Sequence, residues 1–169
     1  MSQTMMNRRG VDRNVVMAGV DEFQHFEKIE KTPEQIQALY DLLGQRKYGI
    51  SHRALPSFAD HEAFVRNHPY RCWYLIKSSS GRYVGSFYLM NDNCVGLSVF
   101  EDADYYLRAT LAYIERTYSP LPAIPSVRAG FFFMNIAPGN KDMQAALLAA
   151  NARHIQSSYE LPISKNEQS

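Results

Sequence analysis

Cysteine is scarce in this chain: Cys72 and Cys94 are the only two among 169 residues. They form no CxxC, and two thiols do not make a disulfide framework. A stapled secreted scaffold is excluded, and the pair reads as buried strand thiols in a reducing compartment. Charge of one sign is lacking as well. Eighteen basic residues stand against seventeen acidic ones, for a net charge of +1. No basic run extends beyond Arg8–Arg9, so the electrostatic footprint of a nucleic-acid binder is missing. No apolar run approaches the ~18–20 residues of a membrane span. His52, His61 and His68 lie close together, but their spacing fits no metal template, and no metal site is expected. Glycine is missing from one telling place. Residues 93–115, "NCVGLSVFEDADYYLRATLAYIE", read as a buried strand that turns straight into a helix. In many α/β enzymes such a join is glycine-rich and holds a phosphate. Here it carries Glu101, Asp102 and Asp104.

What is present points to a single globular domain: 46% hydrophobic, 12% aromatic and 21% charged residues, with enough chain for a stable core. Residues 1–21 show no lasting periodicity and no long apolar segment behind Arg8–Arg9. They are expected to be a mobile leader on a cytoplasmic protein, ahead of a domain over 22–163 and a tail over 164–169. A first strand is expected over 22–30. "KTPEQIQALYDLLGQR" is a helix, with Thr32 as cap, Pro33 in the first turn, and Ile36, Leu39, Tyr40 and Leu43 as its apolar stripe. "SFADHEAFVRNHP" is a second helix, capped by Ser57 with Asp60 three residues on. Three strands follow over 71–77, 83–90 and 94–100, separated by the turn formers "SSSG" and "NDN", and should make an antiparallel meander. A helix follows the acidic join. "FFFMNIA" has apolar residues on both faces and is expected to be a central strand. "PGNKDMQAALLAANAR" is a last helix and "HIQSSYEL" a last strand. The fold class is therefore α+β, a mixed and mostly antiparallel sheet with flanking helices.

The segments "SHRALPSFADHEAFVRNHPYRCWYLI", "GSFYL", "NCVGLSVF", "NIAPGN" and "IQSSYEL", taken in order, resemble one branch of small bacterial N-acetyltransferases of the GNAT superfamily. The positions that carry the resemblance are Pro56, Ser57 and His61; Pro69, Tyr70, Trp73 and Tyr74; Asn93 and Gly96; and Asn135, Ile136, Pro138 and Asn140. It spans about residues 42 to 161. It implies a GNAT-like twisted sheet whose fourth and fifth strands are parallel and splay apart. It also implies acetyl transfer from acetyl-CoA to the amine of a small molecule, an amino sugar being one candidate, and it is compatible with a homodimer. The other expectation that the residues leave open is a GNAT-fold protein that has lost CoA chemistry and serves as a binding or interaction subunit.

Acetyl transfer on this fold sets definite requirements. The pantetheine arm would pair with strand-four backbone at Leu97, Val99 and Phe100. The pyrophosphate would meet the amides of Ala103, Asp104, Tyr105 and Tyr106, with Asn140 nearby on the last helix. Glu101 is the candidate general base, acting through water, and Asn135 the candidate holder of a water or a substrate carbonyl. His61 and Tyr74 are candidates for lining the acceptor site. Each has a plainer reading: Glu101 as a solvated strand end, Asn135 as a partner for splayed backbone, Asn140 as a helix cap, His61 as an organiser of the second helix, Tyr74 as core. Related sequences place Gly-Lys-Gly-Tyr-Gly where Asp102 to Tyr106 stand here, and a tyrosine where Leu147 stands. Three readings of the acidic join follow: a self-capped helix start, an altered grip on CoA, or an acidic pocket for a cation.

Overall fold

The computed structural model describes residues 25–48 and 54–161. The expected leader, the first residues of the first strand and the C-terminal tail lie outside them. The elements are β1 (His25–Lys28), α1 (Pro33–Gly44), α2 (Phe58–Asn67), β2 (Cys72–Lys77), β3 (Tyr83–Leu89), β4 (Val95–Val99), α3 (Ala103–Thr117) and α4 (Lys141–Ala149). The four strands form one sheet in the order β1-β2-β3-β4, every pair antiparallel. The class is α+β, as the residue pattern implied.

The strands alternate between two cores because successive side chains point to opposite faces. Trp73 and Leu75 of β2 pack with Ile36, Leu39 and Leu42 of α1 and Val65 of α2. Cys72, Tyr74 and Ile76 pack instead with Phe87 and Leu89 of β3 and with Tyr106 and Ile114 of α3. A third cluster joins α3 to α4 through Leu107, Met143 and Ala146, with Leu97 and Val99 of β4 against it. The helices begin where the sequence signals a start. Thr32 accepts from the Gln35 amide, and Ser57 accepts from the Asp60 amide at 3.1 Å. Asn140 caps α4 through the Met143 amide at 3.2 Å. Both cysteines are free and buried.

Two expected strands differ. The segment expected to be a central fifth strand contributes one parallel bridge, Phe133 beside Cys94. The Val95 amide donates to the Phe133 carbonyl at 2.7 Å, and the Phe133 amide to the Asn93 carbonyl at 3.3 Å. Parallel pairing with β4 is therefore present and then ends. Its apolar pattern has a different cause from burial in a ladder: Phe132 and Met134 pack toward α3, Ile136 packs toward α4, and Phe131 is exposed. The segment is an edge, with no further strand beyond it among the described residues. The expected last strand, residues 154–161, carries neither strand nor bridge and is exposed throughout. Its side chains alternate in part, as in a strand, but it pairs with no strand among the described residues.

Candidate functional site

The strand-to-helix join is built from residues that satisfy one another. Asp102 takes the left-handed conformation, φ 40 and ψ 62. This suits glycine and, among other residues, Asn and Asp best. Its backbone thus keeps a glycine-like shape while its side chain does what glycine cannot: Oδ1 accepts from the Tyr105 amide at 3.2 Å. The Asp102 carbonyl accepts from the Tyr106 amide at 3.1 Å. The cap thereby takes the Tyr105 amide, one of those expected to meet a pyrophosphate, and the first intrahelical bond takes that of Tyr106. Asp104, one turn ahead of Arg108, forms an ion pair with it at 2.9 Å. That pairing raises the arginine's pKa through the hydrogen bond and the charge. Arg108 also donates to the Ala149 carbonyl at 3.2 Å, tying α3 to the end of α4. Two carboxylates in the first turn of α3 complement the helix's positive end. The same charges repel a phosphate, and the join does not fit a pyrophosphate in the usual manner.

The candidate catalytic residues stand apart. Glu101 is exposed and receives both its hydrogen bonds from one Arg82 nitrogen, at 3.0 and 2.7 Å. Asn135 is exposed and donates to Cys94 Sγ at 3.5 Å. Cys94 stands just before β4 and Glu101 lies just beyond its end, so the two candidates are held at opposite ends of that strand. No hydrogen bond joins Glu101 to Asn135 among the described residues. Burial pushes the Cys94 thiol up, and the Asp92 carboxylate adds to this, while hydrogen bonds from Asn135 oppose it. The thiol is neutral and structural.

The remaining candidates take part in packing or capping. Leu97, Val99 and Ala103 lie against the α3–α4 cluster, and Phe100 against the α1–α2 cluster. Tyr105 and Tyr106 meet edge to face at 5.1 Å, and Tyr106 is buried. Burial, then the nearby Glu101 charge, raises the Tyr106 pKa. Tyr74 is buried, stacks on Phe87 at 4.9 Å and shares a 2.6 Å hydroxyl contact with Tyr118. Burial is the main cause that raises its pKa, followed by hydrogen bonds to Tyr113 and Tyr118. His61 is buried between Tyr40 and Phe58, its Nε2 3.2 Å from the Ile36 carbonyl. Desolvation lowers its pKa, only partly offset by that bond. It joins α2 to α1 and is held neutral. No group of three or more metal-ligating side chains occurs among the described residues, and no helix there is long and apolar enough to cross a membrane.

Two residues matter more than their motif positions suggested. Asn93 is fully buried at φ 73. Its amide nitrogen donates to the Leu121 and Ala129 carbonyls at 2.8 and 2.7 Å, and its oxygen accepts from the Leu121 amide at 2.7 Å. It therefore anchors the long proline-rich loop between α3 and Phe131. Gly96 is fixed by a ring: a Cβ there would lie 2.0 Å from Tyr88, whose ring stacks on Tyr70 at 4.0 Å and 4°. The turn formers around Asn93 signalled a bend, but nothing local signalled which loop it would hold.

No family model and no curated protein matches this chain. A solved structure similar to it is "the crystal structure of a possible acetyltransferase from Clostridium difficile 630". The match covers 85% of this chain and 100% of that one at 11% identity, with a TM-score of 0.49. A likeness at that level carries no argument about chemistry.

Proposed function

We propose that this chain is an acyltransferase-like α+β protein that has given up the usual grip on an acyl-CoA pyrophosphate and works as a binding or interaction subunit. The observation that carries this reading is Asp102, which caps α3 with its own carboxylate where a phosphate would need a free helix end. A like-charge contact at ~4 Å is unfavourable by on the order of 1–4 kcal/mol, depending on local dielectric. That is roughly one to three orders of magnitude in affinity. Calorimetric titration of the full chain with acetyl-CoA is the test. The expected result is no binding at micromolar concentrations. Exchanging both Asp102 and Asp104 for Gly should tighten whatever binding remains. Low-micromolar binding by the native chain would overturn the proposal.

A second reading is transfer of acetyl from acetyl-CoA to a small amine, for instance an amino sugar. One specific observation favours it. The parallel contact on the outer edge of β4 ends at Val95, so the backbone at Leu97–Val99 has no strand beside it on that edge among the described residues. An extended pantetheine-like arm would need such an edge. The same titration separates the two readings.

A further inference from the structure

The proline-rich loop that Asn93 anchors has an unusual surface. From Thr117 to Val127 the sequence, Thr-Tyr-Ser-Pro-Leu-Pro-Ala-Ile-Pro-Ser-Val, carries no charge. Ile124, Val127 and Phe131 are 42%, 74% and 47% exposed. The loop nevertheless folds into a closed lobe. Ile124 bridges to Arg128, and Gly130 lies so close to Ala123 that a Cβ on it would stand 3.3 Å from the Ala123 Cβ. Much of the main-chain polarity is satisfied within the protein. Pro120, Pro122 and Pro125 have no amide hydrogen to offer. The Ile124 amide donates to the Arg128 carbonyl at 2.9 Å, and the Val127 and Arg128 amides donate to the Ile124 carbonyl at 3.0 and 2.9 Å. The Leu121 amide and the Leu121 and Ala129 carbonyls are held by Asn93. The Pro122 carbonyl accepts from Arg128 Nε at 2.8 Å.

Water would satisfy these groups without such an arrangement, and a protein partner could pair with them. Lipid can do neither. A lobe that closes its own bonds and turns apolar side chains outward therefore fits a lipid surface best. The charges at its base agree. Arg71 donates to the Ser119 carbonyl at 3.0 Å and lies over the Tyr118 ring. Arg128 donates also to the Asn91 carbonyl, and Arg116 stands in the last turn of α3. Carbonyl partners do not neutralise Arg71 or Arg128. Asp92 and Glu115 are the acidic residues on the same elements, two against three. We propose that residues 119–131 are a peripheral membrane anchor: Ile124, Val127 and Phe131 enter the interfacial layer of an anionic bilayer, with Arg71, Arg116 and Arg128 at the level of its phosphates. An open, mostly apolar groove of about 430 Å³ at the neck of the lobe, lined by Leu111, Glu115, Tyr118, Ser119, Pro120 and Phe132, extends the apolar surface along α3. This is attachment to one face of a bilayer and needs no spanning helix. The lobe lies at the end of α3 opposite Asp102, so the anchor stands whether or not CoA binds.

The test is sedimentation of the full chain with sucrose-loaded vesicles of phosphatidylcholine alone or mixed with phosphatidylglycerol. A single myristoyl chain binds bilayers at about 10⁴ M⁻¹, and three side chains should bind less tightly, so about 1 mM lipid is used. The native chain should sediment with the mixed vesicles and less with phosphatidylcholine alone. Val127→Asp should weaken binding about tenfold or more, with the thermal transition unchanged because Val127 is exposed. Val127→Trp should give blue-shifted emission on vesicles, read against the native Trp73, which is buried. A native chain that sediments with neither vesicle, binding that Val127→Asp leaves unchanged, or emission of the Val127→Trp variant that does not shift would overturn the proposal. Equal sedimentation with the two vesicles would overturn the part given to the arginines. A native chain that elutes as a dimer, becomes a monomer with Val127→Asp and ignores vesicles would overturn the anchor in favour of a protein interface.

Discussion

Exchanging Asp102 for Ala and for Gly should give very different results, and the difference follows from its two roles. As a cap, Asp102 holds the Tyr105 amide at 3.2 Å, and loss of such a cap to Ala costs about 0.5–2 kcal/mol, but only a few tenths to Gly. As a residue at φ 40, it sits where a Cβ is disfavoured by roughly 1–2 kcal/mol, a cost that Asp partly offsets by local hydrogen bonding. Ala loses the cap and keeps the strained Cβ without that compensation. Gly loses the cap and sheds the strain. The expected loss is therefore about 1.5–3 kcal/mol for Asp102→Ala, and within about 0.5 kcal/mol of native for Asp102→Gly. For a chain of this size the Ala variant should melt roughly 4–10 °C lower. Urea unfolding at neutral pH, followed by far-UV circular dichroism, measures both variants. Equal losses for Ala and Gly would refute the left-handed argument, and no loss for either would refute the cap.

Other perturbations have equally definite outcomes. Gly96→Ala should cost about 1–3 kcal/mol by overpacking, because the new methyl meets the Tyr88 ring. Adding Tyr88→Ala should recover part of that loss, a non-additivity that a double-mutant cycle reads directly. Asn93→Ala removes three buried hydrogen bonds and should cost on the order of 3 kcal/mol or more, with loop 119–130 becoming sensitive to limited proteolysis. His61 and His68 both have folded pKa values below 6.5, desolvation being the first cause in each. The unfolded chain therefore binds protons first as pH falls, and stability should be lost from about pH 6.5 downward. Thermal midpoints over pH 5–8 check this, and His61→Gln should flatten the slope.

The sequence pattern located α1, α2, the β2–β3–β4 meander, α3 and α4 because those elements are local. Thr32, Ser57 and Asn140 cap the amides that their positions imply, and β2 alternates between two helical layers. The Asp102 cap was legible too, since Asp is among the best caps and α3 starts beside it. What was not legible depends on neighbours far along the chain. "FFFMNIA" carries the apolar content of a buried strand, yet only Phe133 pairs, because Phe132, Met134 and Ile136 pack toward α3 and α4. Asn93 looked like one turn residue among three, and its bonds to Leu121 and Ala129 span 28 and 36 residues.

Glu101 shows most clearly why resemblance and geometry part here. Its place after strand four is the place for a base near a reacting amine, and no property of residues 93–106 alone speaks against that. Arg82, nineteen residues earlier on the β3 side of the sheet, engages both carboxylate oxygens. Asp104 is similarly committed to Arg108, and Asp102 to a main-chain amide. An acidic pocket for a cation would need carboxylates turned to a common space. These three turn to three different partners, and their bonds hold the strand end and the helix start in place.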